Sequence, residues 1–491
     1  MKRTVGILCP VASLPSTYGI GDFGKYSYEF IDLARDNGFT IWQVLPLNPL
    51  GYGHSPYQPF SSFALDELYV DFQELVDRKA LKVLPEPFKQ DSDKIYYEEI
   101  RDYKNPILKK AYKAEIKKVS VKKEVAAFEE SHPWVKAWSL FMMNKRLENL
   151  RSWSEWPERR KKMIDGTVTL TPEEEDLRLY EVWLQMTLYR QWDKLHKYAK
   201  DNGIAIMGDV PFYVGYDSSD VWGNQDTFLL DPVTKEPAWI AGVPPDYFSA
   251  TGQRWGNPIY NWDLLKERHY DFIINRLKIN GELYDIIRID HFRAFDTYWK
   301  IPASCPTAIE GSWIEAPGYD FFDTFLKVCP DLQIVAEDLG DLRPEVLTLR
   351  DHYNFPGMNV VEFTFYDAAV LKTDHRDKEN MIAYIGTHDN DTAKGYFEKL
   401  EQKVQWQWWD AMKAMGIDHP DMVTDLIEYT LSLKANYAIF AVQDLMGKGS
   451  EARINVPGVI DDVNWTYRMK DFDELKAKLP SITPMFKKYN R

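Results

Sequence analysis

The chain has 491 residues, 45% of them hydrophobic, so it can bury a large core and has room for more than one domain. Its formal net charge of −15 argues against nucleic acid or an anionic membrane surface as the main partner. The three cysteines, Cys9, Cys305 and Cys329, lie far apart, and no apolar run approaches the roughly 18 residues of a membrane span. The composition predicts a soluble, cytoplasmic protein without a disulfide framework.

The first glycine-rich stretch, Gly19–Gly24, matches the pattern GxGxxG. That pattern indicates a dinucleotide-binding loop only where it directly follows a strand and the next strand ends in an acidic residue. Here SLPSTY separates the predicted first strand from Gly19, and Tyr26 stands where a phosphate-binding loop needs Ser or Thr. We therefore interpret the stretch as a tight loop that glycine makes possible.

Short β-rich runs recur along the chain, and each is followed by a helical pattern. They are near-continuous apolar runs, as expected of strands that are covered on both faces. Such strands alternating with helices predict an α/β fold, a (β/α)8 barrel. The predicted strands are Val5–Val11, Thr40–Leu47, Ile204–Val210, Tyr284–Ile289, Gln333–Ala336, Met358–Val361, Ile382–Thr387 and Ala438–Val442.

Long insertions interrupt the predicted barrel. Residues 66–175 are charge-dense and helical in pattern, which predicts a mainly helical insertion subdomain between the second and third strands. The barrel then comprises residues 1–65 and 176–491, with an excursion of the chain at residues 212–270. A helix leading into the third strand begins with Thr171-Pro-Glu-Glu, a capping sequence.

Charged side chains stand at the carboxyl ends of four predicted strands, where barrel enzymes build their active sites. Clustered carboxylates repel one another unless a cation offsets them, so the cluster indicates function. Magnesium or calcium binding is one alternative, but Arg288 already supplies a cation. Glycoside chemistry is the other, since it needs two carboxyl groups in opposite protonation states. The residues at these ends are Asp209, Arg288, Asp290, Glu337, His388 and Asp389.

The order of motifs along the chain resembles that of the amylomaltases, the 4-alpha-glucanotransferases of glycoside hydrolase family 77. The resemblance covers nearly the whole chain and implies a (β/α)8 barrel without a C-terminal β-sandwich domain. One departure is Tyr467, where the family pattern has Trp. The matching blocks are SLPSTYGIGDFG, GHSPYQPFSSFA, GDVPFYV, GVPPDYFSATGQRWGNPIYNW, RIDHFRAF, AEDLG, GTHDND and ARINVPG.

The resemblance implies catalytic roles for three carboxyl groups. Asp290 would be the nucleophile of a covalent glucosyl-enzyme intermediate, and Glu337 the general acid and then the base. Asp389 would bind ring hydroxyls and stabilise the oxocarbenium-like transition state. These roles agree with the residue pattern, because Arg288 would keep Asp290 ionised, while Glu337 must hold its proton at neutral pH.

The resemblance also implies a set of sugar-binding residues, and it places the Gly19–Gly24 loop on the sugar-facing rim. Tyr57 would stack on the reacting glucose, the alternative being an aromatic packed in its loop. Residues 242–256 combine Gly and Pro with aromatics, which is typical of a recognition loop, here on the acceptor side; the alternative is a small hydrophobic cluster beneath a long loop. The implied residues are Tyr57, Asp209, Asp246, Tyr247, Phe248, Gln253, Trp255, Arg288, His388 and Asn455.

The predicted activity is transfer of α-1,4-glucan segments from a maltodextrin to the 4-hydroxyl of another glucan or glucose, with retention of configuration. Maltodextrins, maltooligosaccharides and glucose are the expected substrates, with no cofactor, metal or obligate protein partner. A retaining α-glucan hydrolase would use the same carboxylates. A non-catalytic glucan-binding protein would not need Asp290, Glu337 and Asp389 together.

Overall fold

The computed structural model describes residues 3–89, 92–245, 249–340, 342–364, 377–459 and 461–491. Within these residues, twelve strands form two sheets, one of eight parallel strands and one of four antiparallel strands. The strands in chain order are β1 Thr4–Leu8, β2 Ile41–Gln43, β3 Ala205–Pro211, β4 Trp239–Val243, β5 Gln253–Pro258, β6 Ile286–Asp290, β7 Thr297–Pro302, β8 Ser312–Glu315, β9 Gln333–Ala336, β10 Gly357–Val360, β11 Met381–Tyr384 and β12 Tyr437–Ala441.

The parallel sheet has the strand order β10-β11-β12-β1-β2-β3-β6-β9. Its two outer strands, β9 and β10, come together where the Ala336 amide donates a hydrogen bond of 2.9 Å to the Pro356 carbonyl. The predicted (β/α)8 barrel is therefore confirmed, and each predicted strand coincides with one of its eight strands. The predicted run Thr40–Leu47 pairs only over Ile41–Gln43, because the residues beyond Val44 already belong to the loop above the barrel.

The interior of the barrel is a separate apolar cluster, to which all eight strands contribute. Apolar side chains on the opposite face of the strands join a second, larger cluster together with the surrounding helices. This is why the strand sequences are apolar in near-continuous runs rather than alternating. The strand residues that point into the barrel include Leu8, Ile41, Met207, Ile286, Val335, Met358, Ile382 and Ile439.

Helices surround the barrel and fill the insertion. The longest, α7, begins with a capping box in which the Thr171 side chain accepts from the Glu174 amide and Glu174 accepts from the Thr171 amide, as predicted. None of the described helices is long and apolar enough to cross a membrane. The helices are α1 Lys25–Asp36, α2 Phe72–Asp77, α3 Tyr97–Glu115, α4 Val119–Ser131, α5 Trp134–Leu147, α6 Glu158–Lys161, α7 Pro172–Asp201, α8 Ser219–Gly223, α9 Trp262–Glu267, α10 Asp271–Leu283, α11 Gly318–Val328, α12 Pro344–His352, α13 Ala393–Lys399, α14 Gln402–Ala414, α15 Met422–Ser432, α16 Val442–Met446, α17 Asp473–Ile482 and α18 Pro484–Lys488.

Helices α2–α6 lie within the predicted insertion, and the residues after β12 contain α16–α18. Helix α5 of the insertion packs against α7, which leads into β3. The insertion therefore shares the long helix α7 with the barrel. The division of the chain at residues 66–175, and the excursion at 212–270, stay predictions.

The four-stranded sheet has the order β5-β4-β7-β8 and corrects the expectation for residues 242–256. The expectation that these residues form an irregular loop is wrong at both ends, since β4 contains Gly242 and β5 begins at Gln253. A Cβ atom at position 242 would stand 2.1 Å from the Gln253 carbonyl oxygen, so glycine permits this close pairing. We call these four strands the small sheet.

The Gly19–Gly24 loop does precede a helix, α1, but it is buried rather than exposed on a sugar-facing rim. A Cβ atom at Gly21 would stand 1.9 Å from the carbonyl oxygen of Val11. Glycine is thus required by the close packing of this loop on its own chain. The interpretation as a tight loop is confirmed, and the expectation that the loop lines the rim is wrong.

Candidate active site

Four strands bring the three predicted catalytic carboxyl groups and that of the predicted binding residue Asp209 to one end of the barrel. Asp209 lies in β3 and Asp290 ends β6, whereas Glu337 directly follows β9 and Asp389 follows β11 in the loop after Tyr384. Because all of these strands run parallel, their carboxyl ends meet at the same rim. The structure therefore places these four residues on a common rim.

Arg288 links two of these carboxyl groups. Its Nη1 atom donates to Asp209 Oδ2 at 2.6 Å and lies 3.2 Å from Asp290 Oδ1. The side chains of Arg288 and Asp209 are buried, whereas 30% of the Asp290 side chain is exposed. Asp209 thus anchors the guanidinium, and Asp290 presents its carboxyl group to the open part of the site.

Tyr57 joins the same cluster from the loop after β2. Its hydroxyl donates to Asp209 Oδ2 at 2.7 Å, and it lies 2.8 Å from His388 Nε2. Since the hydroxyl has one hydrogen, the Nε2–H group of His388 must be the donor of the second bond. Burial lowers the pKa of His388, which keeps the imidazole neutral in this arrangement.

The Tyr57 ring is stacked on His388, with ring centroids 5.3 Å apart and an interplanar angle of 12°. The indole of Trp465 lies 5.8 Å from the Tyr57 ring and 6.1 Å from His388. The protein therefore covers one face of Tyr57 itself. Stacking of a sugar on the other face stays a prediction, and Trp465 is an aromatic residue of the site that the sequence analysis did not name.

Glu337 is held by backbone amides rather than by a cation. Its Oε2 accepts from the His291 amide at 2.8 Å, and its Oε1 accepts from the Leu339 amide at 2.9 Å. In the described part of the chain, no lysine or arginine forms an ion pair with Glu337. Because His291 directly follows Asp290, this hydrogen bond makes the Asp290 and Glu337 carboxyl groups neighbours.

Burial raises the pKa of both Asp290 and Glu337. The guanidinium of Arg288 opposes this shift at both groups and forms an ion pair with Asp290, while the two backbone amides oppose it further at Glu337. Two neighbouring buried carboxyl groups do not ionise together easily. The ion pair with Arg288 favours the negative charge on Asp290, and the assignment of the proton to Glu337 stays a prediction.

Asp389 is the most exposed of these carboxyl groups, with 43% of its side chain accessible. Asn455 Nδ2 donates to Asp389 Oδ1 at 2.7 Å, so the predicted sugar-binding residue Asn455 does lie in the site. Arg453 fixes both partners, because its Nη2 donates to the Asp389 carbonyl at 2.8 Å and its Nε to the Asn455 carbonyl at 2.7 Å. The sequence analysis missed Arg453, although it lies in the quoted block ARINVPG.

Two residues of the small sheet lie near the loop after β6. The ring of Trp255 contacts His291 edge-on, with centroids 4.8 Å apart, and its Nε1 donates to Gln253 Oε1 at 3.1 Å. Burial lowers the pKa of His291 to about 4, so this imidazole is neutral. Gln253 and Trp255 therefore lie beside the site, while the predicted binding residues 246–248 (Asp246, Tyr247 and Phe248) lie outside the described residues.

Across the residues that the structure describes, no three His, Cys, Asp or Glu side chains are grouped as they would be to hold a metal ion. The carboxyl groups of Asp209 and Asp290 instead share the guanidinium of Arg288. Positive charge is thus supplied to the cluster by the protein itself.

Fold and site together define a (β/α)8-barrel enzyme with neighbouring carboxyl groups at its rim. The sequence model of glycoside hydrolase family 77, described as 4-alpha-glucanotransferase, matches residues 9–475. A 4-alpha-glucanotransferase of Aquifex aeolicus (strain VF5) is 38% identical over an alignment of 493 positions, which covers 99% of this chain and 99% of the relative. That of Synechocystis sp. (strain ATCC 27184 / PCC 6803 / Kazusa) is 39% identical, covering 99% of this chain and 98% of the relative.

Among solved structures, an amylomaltase from Streptococcus agalactiae in complex with acarbose superimposes with a TM-score of 0.93 at 34% identity, over 100% of both chains. The chain therefore belongs to the 4-alpha-glucanotransferase family, glycoside hydrolase family 77, and is an enzyme of glucan transfer. The resemblance inferred from the motifs is confirmed.

Proposed function

We propose that this enzyme transfers α-1,4-glucan segments from a maltodextrin donor to the 4-hydroxyl of glucose or a maltodextrin, in two displacements that retain configuration. One observation carries the mechanism. Asp290 forms an ion pair with the Arg288 guanidinium, whereas among the described residues Glu337 forms no ion pair and is buried. The ion pair supports a charged nucleophile, and burial, which raises the pKa of Glu337, supports a protonated acid beside it, as a retaining enzyme needs.

In the first step, a carboxylate oxygen of Asp290 attacks the anomeric carbon of the donor, and the bond from that carbon to the glycosidic oxygen breaks. Glu337 gives its proton to the leaving oxygen, so the shortened glucan departs with a free 4-hydroxyl. The products are a glucosyl ester on Asp290 and an ionised Glu337.

In the second step, the ionised Glu337 takes the proton from the 4-hydroxyl of the acceptor. The acceptor oxygen attacks the anomeric carbon and displaces the Asp290 carboxylate. Both residues return to their starting protonation states, and the two inversions give net retention. Arg288 stabilises the carboxylate that leaves.

The surrounding side chains would hold the glucose ring during both steps. Asp389, fixed by Asn455, offers a carboxylate oxygen to ring hydroxyls and to the positive charge that develops at the anomeric carbon. His388 and Asp209 would bind further hydroxyls, and the exposed face of Tyr57 would stack on the ring. Gln253 and Trp255 would line the acceptor side.

Incubation with pure maltotriose tests this function. Transfer produces longer oligosaccharides together with glucose, whereas hydrolysis yields only shorter sugars. NMR observation of the newly formed glycosidic bonds should show the α configuration. Shorter products alone would assign the chain as a hydrolase, and no change would remove the proposed activity. A cytoplasmic location and independence from a protein partner stay predictions.

A further inference from the structure

The small sheet contains an exposed tryptophan that takes no part in the proposed mechanism. Trp313 in β8 is 39% exposed, although tryptophan is a costly residue to leave in water. It stands opposite Trp299 of β7 in the antiparallel register, with the two ring centroids 5.2 Å apart. The indole is thus supported by its cross-strand neighbour while part of it remains open to solvent.

Arg293 stacks on one face of this indole. The centre of its guanidinium lies 3.8 Å from the Trp313 ring centroid, a stacked cation–π contact. Arg293 belongs to the short 3-10 helix Phe292–Phe295, which closely follows the nucleophile Asp290. Arg293 covers one face of the ring, while 39% of the residue stays accessible to solvent. A ring fixed in this way loses little conformational entropy when a ligand stacks on it.

Strand β8 is hydrogen-bonded to the loop after β6, and Arg343 links both to the segment that follows Glu337. The amide of Ala316, directly after β8, donates to the Asp296 carbonyl at 2.8 Å. Arg343, in the segment that follows Glu337, binds Asp296 through its Nε and Nη2 atoms at 2.5 and 2.8 Å, and its Nη1 lies 4.0 Å from Glu315. Trp313 is therefore presented beside the loops after β6 and β9.

The side of the barrel on which Trp313 lies suggests its ligand. The general acid of a glycosidic cleavage protonates the leaving oxygen, so the leaving glucan and the later acceptor occupy the side of Glu337. A glucan that continues beyond the first acceptor units on that side passes the β9 loop. We propose that Trp313, backed by Arg293, is a stacking platform for a remote glucose unit of long acceptor or donor glucans. This inference rests on the proposed function.

The dependence of activity on the length of the glucan tests whether Trp313 binds a remote glucose unit. We compare kcat/KM for maltoheptaose and for maltotriose in Trp313→Ala, Trp313→Leu and Trp313→Phe variants. The ratio of kcat/KM for maltoheptaose to that for maltotriose should fall about five-fold in the Ala and Leu variants, which is the scale of one aromatic contact. In the Phe variant the ratio should stay close to that of the wild type. The Leu variant keeps apolar packing between Arg293 and Trp299, which guards against a mere loss of folding.

Trp406 offers a matched control, since it is 62% exposed on α14, a helix that packs on α15. Trp406→Ala should leave the ratio unchanged. An unchanged ratio in both Trp313→Ala and Trp313→Leu, or an equal loss on both sugars, would overturn the platform. Failure of the wild type to disproportionate maltotriose would instead count against the proposed function, so the two failures are distinguishable.

Discussion

Carboxyl groups are buried in two places at the carboxyl end of the barrel. In one place a cation contacts them, and in the other no cation of the described chain does. In the active site, Arg288 contacts both Asp209 and Asp290. Near the end of β11, Glu362 and Asp444 are buried without an ion pair to any lysine or arginine of the described chain. Burial, reinforced by neighbouring carboxylates, raises the pKa of Glu362 to about 9 and that of Asp444 to about 7.

We call Glu362 and Asp444 the support pair, because each is hydrogen-bonded to the chain around the loop that carries Asp389. The Glu362 amide donates to the Ile385 carbonyl at 2.9 Å, and Asp444 Oδ1 accepts from the Ala393 amide at 2.7 Å. The comparison teaches that a cation in contact with a buried carboxyl group favours its charged form. Without one, Glu362, with a pKa of about 9, holds its proton at neutral pH, and Asp444, with a pKa of about 7, is partly protonated there.

The largest effect should come from removing the charged nucleophile. Asp290→Asn keeps the volume of the side chain but cannot form the glucosyl ester, so turnover of maltotriose should fall by about 10³-fold or more. Calorimetric titration with maltoheptaose should show that binding is largely kept. Near-normal turnover in the folded variant would show that Asp290 is not the nucleophile.

Unlike Asp290, Glu337 forms no ion pair within the described part of the chain, and burial raises its pKa as it does that of Asp290. Glu337→Gln should lose about 10²- to 10⁴-fold on maltotriose but much less on a glycosyl fluoride, which needs no proton on departure. Because the wild-type acid must hold its proton, activity should fall as the pH rises through its raised pKa. The variant acting on the fluoride should lack this alkaline limb. Equal losses on both donors would exclude Glu337 as the acid.

The barrel and these strand ends could be predicted because their signals are local. Apolar runs identify the eight strands, and an aspartate or glutamate at the end of such a run is visible without knowledge of the fold. The small sheet could not be predicted. Its strand β4 pairs with β7, far along the chain, and its short segments contain Gly242 and Pro258, which weaken any strand pattern.

Within the site, the residues proposed to bind substrate were easier to infer than the residues that hold them in position. Arg453 acts by donating to two backbone carbonyls, and His291 acts through its amide on Glu337. Backbone contacts of this kind depend on how distant loops meet, and the side chain alone does not reveal them. Trp465 was missed for the same reason, since it reaches Tyr57 only in the folded chain.

The buried ion pair between Asp209 and Arg288 can be tested by measuring the stability of variants. Asp209→Ala leaves Arg288 buried with one partner fewer and removes the acceptor of the Tyr57 hydroxyl, so the free energy of unfolding should fall by about 3–5 kcal/mol. The matched control is Asp226→Ala, which breaks an exposed pair with Arg268 and should change stability far less. Urea unfolding measures the free energy of unfolding of both variants. Similar losses would show that the buried ion pair stabilises the protein no more than the exposed one.

The protonated state of Glu362 can be tested by measuring how the free energy of unfolding depends on pH. Folding raises the pKa of Glu362 from an ordinary 4.5 to about 9, so the native state holds a proton that the unfolded chain has lost between these values. The stability it contributes is complete below about pH 4.5 and declines as the pH rises towards 9. Relative to Glu362→Gln, the wild type should lose about 1.4 kcal/mol of unfolding free energy per pH unit between pH 6 and 8.

Glu174→Gln is the matched control for this slope. Hydrogen bonds from Arg159 and from the Thr171 amide lower the pKa of Glu174 to about 2, although burial opposes this shift. Glu174 is therefore ionised in both folded and unfolded chains above about pH 5, and its replacement should not alter the pH slope between 6 and 8. Parallel slopes for the wild type and Glu362→Gln would show that Glu362 is ionised in the fold.

The smallest expected effect is that of a chelator, which should be none. A divalent cation at the rim would serve to offset the clustered carboxylates, but Arg288 already contacts Asp209 and Asp290, and the carboxyl groups of Asp290 and Glu337 are needed for covalent and proton-transfer steps. Transfer on maltotriose should therefore be equal before and after dialysis against EDTA. Activity that EDTA removes and calcium restores would mean that a metal, and not Arg288 alone, balances the charge of this cluster.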